Sequence, residues 1–109
     1  MKDFFFDRDE GGNDVGVFVA SLGEAKVRIL EDLSVIAEYG PSSLGCEKIA
    51  DGVWEYQQSL GQGRRLVLLF DFVVNCDAYI ALHGFRAGPE GTRRSDLRIA
   101  QSRRKKYPR

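Results

Sequence analysis

The chain has 109 residues, 43% hydrophobic and 29% charged, which is typical of a folded domain and excludes a disordered segment. Its 16 Lys and Arg balance 16 Asp and Glu, so the formal net charge is zero. The longest apolar run, residues 66–74, is interrupted by Asp71 and is far shorter than the roughly 20 residues of a membrane span. We therefore expect a single domain over residues 1–109, no membrane association and, since no export signal is recognisable, a cytoplasmic location.

The first third of the chain predicts one strand and two helices. Residues 4–6 are an aromatic run between charges and predict a brief buried strand. Apolar residues at helical spacing then predict a helical hairpin over residues 14–39. The pattern Ser21-x-x-Glu24 predicts a capping box at the start of the second helix, and Gly40, followed by proline, predicts its end.

The rest of the chain predicts strands and a final helix. Thr92 is the expected N-cap of this basic helix, with Leu97 and Ala100 as its inward residues. Successive strands joined by short turns pair antiparallel, so the order β-α-α-β-β-β-β-α predicts an α+β fold. The expected sheet is mostly antiparallel, has four to five strands, and is covered on one face by the hairpin. The predicted strands are residues 46–49, 53–59, 65–74 and 78–85, and the predicted helix is 93–106.

The zero net charge conceals a division along the chain. Residues 1–83 hold 7 Lys/Arg and 14 Asp/Glu, a balance of −7, whereas residues 84–109 hold 9 and 2, a balance of +7. Such asymmetry indicates either a basic element that meets a polyanion or an acidic partner, or a solvated basic helix without a ligand. Composition alone leaves both interpretations open.

Four polar residues are expected to gather at one end of the sheet. Arg64 and Arg65 open the predicted central strand, and His83 and Arg86 lie at the end of the next strand. Adjacent antiparallel strands place the start of one near the end of the other. Arginine binds phosphate bidentately, and histidine is the usual side chain for proton transfer near neutral pH. The group therefore predicts a phosphodiester site, unless His83 only makes a structural hydrogen bond.

The two cysteines give no sign of a metal or redox centre. Cys46 and Cys76 are far apart in the sequence, and the chain has one histidine. We therefore expect no disulfide, no metal and no other cofactor, and we interpret both cysteines as packing residues.

Four short motifs occur in the order in which one known family carries them. They are Asp51-Gly52-Val53-Trp54-Glu55, then Arg64-Arg65-Leu66-Val67, then Leu82-His83-Gly84-Phe85, then Thr92 followed by Asp96-Leu97 and Ala100. On these motifs the chain resembles the RelE/HigB toxin superfamily, and within it the phage-derived HigB-like proteins. The RelE-like fold that this resemblance implies agrees with the element order above.

The resemblance implies the toxin component of a type II toxin–antitoxin system. Such toxins are endoribonucleases that cleave mRNA on the ribosome without metal, by attack of a 2′-hydroxyl on the adjacent phosphate, and so inhibit translation. The implied partners are the ribosome, mRNA and a cognate antitoxin, a small helix-turn-helix protein that forms a hetero-oligomer with the toxin.

The resemblance also assigns roles to individual residues. Arg65 corresponds to the phosphate-binding arginine, Arg86 to the first basic position after the third motif, and His83 to the strand-end histidine; these three are the predicted catalytic residues. Gln57 and Ala87 stand where the family usually has basic residues, so the alternative is a catalytically weakened RNA-binding or regulatory module. The residues predicted to bind RNA or phosphate are Lys48, Arg64, Arg93, Arg94 and Tyr107.

Overall fold

The computed structural model describes residues 2–8 and 14–108 and contains, within them, five strands and three α-helices. The strands are β1 (Asp3–Phe6), β2 (Glu47–Ala50), β3 (Val53–Gly61), β4 (Arg64–Val73) and β5 (Ala78–Ala87). The α-helices are α1 (Asp14–Ala20), α2 (Glu24–Tyr39) and α3 (Arg94–Arg104). The strands form one sheet in the order β1-β5-β4-β3-β2, with β1 parallel to β5 and the other neighbours antiparallel. The α+β class is confirmed, and no helix in the described part of the chain is long and apolar enough to cross a membrane.

The helical hairpin is formed by α1 and α2, but its connection differs from the predicted one. The hydroxyl of Ser21 donates a 2.7 Å hydrogen bond back to the carbonyl of Phe18. The N-cap of α2 is Gly23, whose φ of +60° lies in the region that glycine adopts most readily. The predicted capping box is therefore wrong, because Ser21 still belongs to the end of α1.

Strand β4 lies at the centre of the sheet and separates two apolar cores. Its even-numbered side chains, such as Leu66 and Phe70, pack with Ile29 of α2 in the core beneath the hairpin. Its odd-numbered side chains, such as Val67, pack with Ala100 of α3 on the other face. Helices therefore cover both faces of the sheet, which explains why β4 reads as an almost continuous apolar run.

The end of α3 is held to the sheet by ion pairs. The Arg104 guanidinium donates to the carboxylate of Asp71 on β4 at 2.7 Å, and both side chains are almost completely buried. Neighbouring cations make further pairs with acidic residues of the first third of the chain. We call the following group the C-terminal ion-pair cluster: Arg104–Asp71, Lys106–Asp7 at 2.8 Å and Arg103–Asp14 at 3.1 Å. Much of the basic C-terminal run is therefore part of the fold's interior contacts.

Candidate functional site

A cleft of about 420 Å³ lies between strands β2 and β3 and the start of α3. Carboxylate, amide, hydroxyl and guanidinium groups line it. Such groups bind polar ligands through hydrogen bonds, and some of them can also exchange protons with the ligand. The side chains that matter for its chemistry are Glu55, Gln57, Thr92, Arg93, Arg94 and Leu97.

A row of hydrogen-bonded side chains runs from β4 across β3 to the loop before α3, and Glu55, Gln57 and Thr92 in this row line the cleft. The Arg65 guanidinium donates to the Gln57 carbonyl oxygen at 3.2 Å. The Gln57 amide in turn donates to Glu55, whose second carboxylate oxygen accepts from the Thr92 hydroxyl. The hydrogen-bonded row therefore joins the Arg65 cation to the Glu55 carboxylate through the amide of Gln57.

Strand geometry explains why these side chains meet. Alternate residues of a strand point to the same face, so Glu55 and Gln57 share a face of β3. Arg65 on β4 is paired with Ser59 on β3, which makes Gln57 its diagonal neighbour on that face. The prediction that Thr92 is the N-cap of α3 is wrong, because the Thr92 hydroxyl donates to Glu55. Instead, the cap is Arg93, whose backbone amide donates to the Asp96 carboxylate at 3.3 Å.

The predicted phosphate-binding arginines are only partly gathered at the cleft. Arg93 and Arg94 line it, while Arg64 is exposed one residue before Arg65 at the start of β4. Arg93 also pairs with the carboxylate of Glu90 at 2.9 Å. A hydrogen bond from its own backbone amide and this contact with Arg93 lower the pKa of Glu90. One of the cations that line the cleft, Arg93, is therefore already paired with a carboxylate of the protein.

Arg86 and Lys48 lie on the opposite face of the sheet from the cleft. Arg86 is paired with Leu66, which faces the core under the helical hairpin, and Lys48 is paired with Trp54, which packs on that same core. Cross-strand partners point to one face, so both cations are directed away from Arg65. Arg65 and Arg86 therefore lie at the same end of the sheet, but their side chains point to opposite faces because the register offsets them by one residue.

His83 shares the face of Arg65 but lies farther along the sheet. Arg65 is opposite Ala87 and His83 is opposite Leu69, so four residues, about 13 Å, separate them along the strands. The His83 Nε2 atom contacts the Asp96 carboxylate at 2.9 Å, its ring stacks on Phe85, and its side chain is 15% exposed. The histidine thus makes the structural contact that the sequence left open.

Tyr107 is a structural residue of the far end of α3. Its hydroxyl donates to the buried carboxylate of Asp7, which also accepts from Lys106. Because α3 has 11 residues and is about 16 Å long, this end lies far from the cleft at the other end. The structure therefore does not bring Tyr107 to the predicted phosphate site.

An acidic flank adjoins the cleft on the side of β2. A smaller recess of about 160 Å³, lined by Cys46 and Glu47, shares Glu55 and Gln57 with the cleft. Burial, with the nearby charges of Asp32 and Glu55, raises the pKa of the Cys46 thiol to about 11. On the other face of β3, Tyr56 donates to Asp32 at 2.5 Å, and burial together with this bond raises the pKa of Tyr56.

Glu55 and Gln57 are the site residues that the sequence prediction missed. On a strand, their alternation resembles an ordinary polar face, and Gln57 counted only as a missing basic residue. Their place beside Arg65 could have been predicted only from the register between β3 and β4, which local sequence patterns do not give.

The described residues contain no group of three or more His, Cys, Asp or Glu side chains placed to hold a metal ion. No protein-family model matches the sequence, and no curated protein and no solved structure matches it. The site must therefore be interpreted from its own chemistry.

Proposed function

We propose that the cleft binds RNA and that this protein is a RelE/HigB-type toxin, a ribosome-dependent mRNA endoribonuclease of a type II toxin–antitoxin system. Its partners are then the ribosome, mRNA and a small helix-turn-helix antitoxin that forms a complex with it in the cytoplasm. The observation that carries the proposal is the hydrogen-bonded row in which Gln57 links the Arg65 guanidinium to Glu55, the carboxylate that lines the cleft.

These two groups supply what cleavage by a 2′-hydroxyl requires. A base removes the hydroxyl proton as the O2′–P bond forms, the P–O5′ bond breaks, and the departing O5′ takes up a proton. Arg65 stabilises the negative charge that develops on the phosphate, and Arg93 and Arg94 bind neighbouring phosphates. Glu55 is the carboxylate in the cleft that can accept the proton.

A second candidate function is an RNA-binding module without catalysis. It is favoured by the positions of two predicted catalytic residues: the His83 ring is engaged with the Asp96 carboxylate at 2.9 Å, and Arg86 points to the other face of the sheet. In that case the cleft binds phosphates and cuts no bond.

Induced expression with mapping of mRNA 5′ ends tests the proposal. The wild type is expected to stop growth and to create new 5′ ends. Arg65→Ala is expected to reduce cleavage about a hundredfold, since one lost contact to a developing negative charge has an effect of this order. Lys26→Ala, which removes an exposed cation on α2, is the matched control and is expected to cleave like the wild type.

Two further variants identify the proton acceptor and separate the candidate functions. Loss of cleavage in Glu55→Gln but not in His83→Ala assigns the role to Glu55, and the reverse result assigns it to His83. RNA that co-purifies with a wild-type protein producing no new 5′ ends supports the binding module and overturns the nuclease.

A further inference from the structure

Gln57 occupies a position between two opposite charges. Its side-chain amide lies between Arg65 and Glu55 and bonds to both. Arginine can only donate and a carboxylate can only accept, so one orientation of the amide satisfies both partners. In it the carbonyl oxygen faces the cation and the NH₂ group faces the anion, which aligns the amide dipole with the field between them.

The bridge determines where the Arg65 guanidinium lies. Its Nη1 atom is held by Gln57 on the side of β3. A Cβ added at Gly91, in the loop that lines the cleft, would lie 4.0 Å from the same atom, and the φ of +69° at Gly91 is one that side-chain-bearing residues rarely adopt. The guanidinium therefore bonds to strand β3 and lies close to the loop before α3.

Gln57 also stands between Arg65 and Glu55 along β3. Arg65 is opposite Ser59, and Glu55 lies four residues, about 13 Å, farther along that strand, so the diagonal neighbour of Arg65 is Gln57. A carboxylate at this diagonal position would occupy the fork of guanidinium donors with an anion from the protein itself. A neutral amide takes one donor and leaves the others for a ligand, because a guanidinium has five N–H groups.

We propose that Gln57 is a positioning residue that orients the Arg65 guanidinium toward the cleft and engages only one of its donors, so that Arg65 remains available to a phosphate. This inference rests on the proposed function for the identity of the ligand, RNA. It gives a role to Gln57, which stands where the RelE/HigB pattern has a basic residue.

Two substitutions of Gln57 test the proposal through RNA binding. The probe is a fluorescent ten-nucleotide RNA with 2′-O-methyl groups, which cannot be cleaved by 2′-hydroxyl attack, and the readout is anisotropy at fixed salt. Gln57→Met removes both hydrogen bonds at similar length and is expected to weaken binding about tenfold. Gln57→Glu gives Arg65 a carboxylate partner of the same shape and is expected to weaken binding more than Gln57→Met.

The free energy of unfolding of each variant, measured by urea denaturation, separates positioning from simple support of the fold. Gln57→Glu also places a carboxylate against Glu55, so a purely structural role predicts that its loss of affinity follows its loss of free energy of unfolding. The positioning role predicts a larger loss of affinity than the change in free energy of unfolding explains. Gln58, the next residue on the opposite face of β3, provides matched controls. Gln58→Glu measures the effect of an added negative charge, and Gln58→Met measures the effect of changing a neighbouring side chain.

The outcomes distinguish this inference from the proposed function. Wild-type affinity in Gln57→Met, or equal losses in the Gln57 and Gln58 variants, overturns the positioning role even if the wild type cleaves mRNA. Wild-type binding without cleavage, together with the expected order of the Gln57 variants, supports the positioning role and removes the nuclease. A wild type that does not bind the probe overturns the positioning role, whereas the mapping of mRNA 5′ ends in cells decides the ribosome-dependent nuclease separately.

Discussion

The two ends of helix α3 carry the same kind of charge and use it in different ways. At the C-terminal end, Arg104 is almost completely buried against Asp71, and Lys106 pairs with buried Asp7. At the N-terminal end, Arg93 and Arg94 are exposed and line the cleft. The first end fixes the helix to the sheet, whereas the second faces the space that a ligand can enter.

This difference explains the division of charge along the sequence. The acidic first part of the chain supplies Asp7, Asp14 and Asp71, and the basic last part supplies their partners in the C-terminal ion-pair cluster. Much of the charge asymmetry is therefore satisfied inside the molecule. A basic segment read from a sequence indicates an external polyanion only after the cations that pair internally have been set aside.

The largest expected effect lies at the buried end. Asp71→Ala leaves Arg104 buried without its partner carboxylate and is expected to lower the free energy of unfolding by about 3–5 kcal/mol. Urea denaturation, followed by the fluorescence of the single tryptophan, measures the change.

The double variant Asp71→Leu with Arg104→Met is the control for this experiment. It removes both charges and fills the space with apolar groups, so it is expected to be clearly more stable than Asp71→Ala. Equal losses in the single and double variants would show that the charges do not matter and that only packing was disturbed.

The fold was more predictable than the site for a physical reason. Hydrophobic periodicity and turn residues are local signals, and they located the hairpin and the strand β4 within a residue or two of their ends. The face on which Arg86 points depends on its pairing with Leu66, and register is set by contacts across the whole sheet. The role of Ser21 was also predicted wrongly. Its hydroxyl lies between the end of α1 and the start of α2, and it bonds to the end of α1.

The two cysteines provide an internal comparison of a recessed thiol with an exposed one in the same sample. Cys46 lies in the recess beside the cleft, and Cys76 is exposed in the short helical turn after β4. The thiolate is the reactive form, so a pKa raised from 9.0 to about 11 leaves Cys46 about a hundredfold less thiolate at pH 8. Iodoacetamide is expected to label Cys76 first, as followed by mass spectrometry of peptides.

The pH dependence of this labelling has a definite sign. Because its pKa is raised, the Cys46 rate is expected to keep rising with pH up to about pH 11. Unfolding in urea is the control, since it removes the burial and the nearby charges and should bring the two rates together. A Cys46 rate that levels off near pH 9 in the folded protein would contradict this description of the cleft's acidic flank.

The smallest expected effect is on the salt dependence of RNA binding, when one exposed cation is removed from either end of α3. Removing one phosphate contact to single-stranded RNA lowers the slope of log affinity against log salt by about 0.7. Arg94→Ala at the cleft is expected to show this change, whereas Lys105→Ala, exposed beyond the other end of the helix, is expected to leave the slope unchanged. Both variants should keep the free energy of unfolding within about 0.5 kcal/mol, because neither residue is buried. Equal slopes in the two variants would mean that RNA is attracted by the helix as a whole, and that the cleft end has no special role.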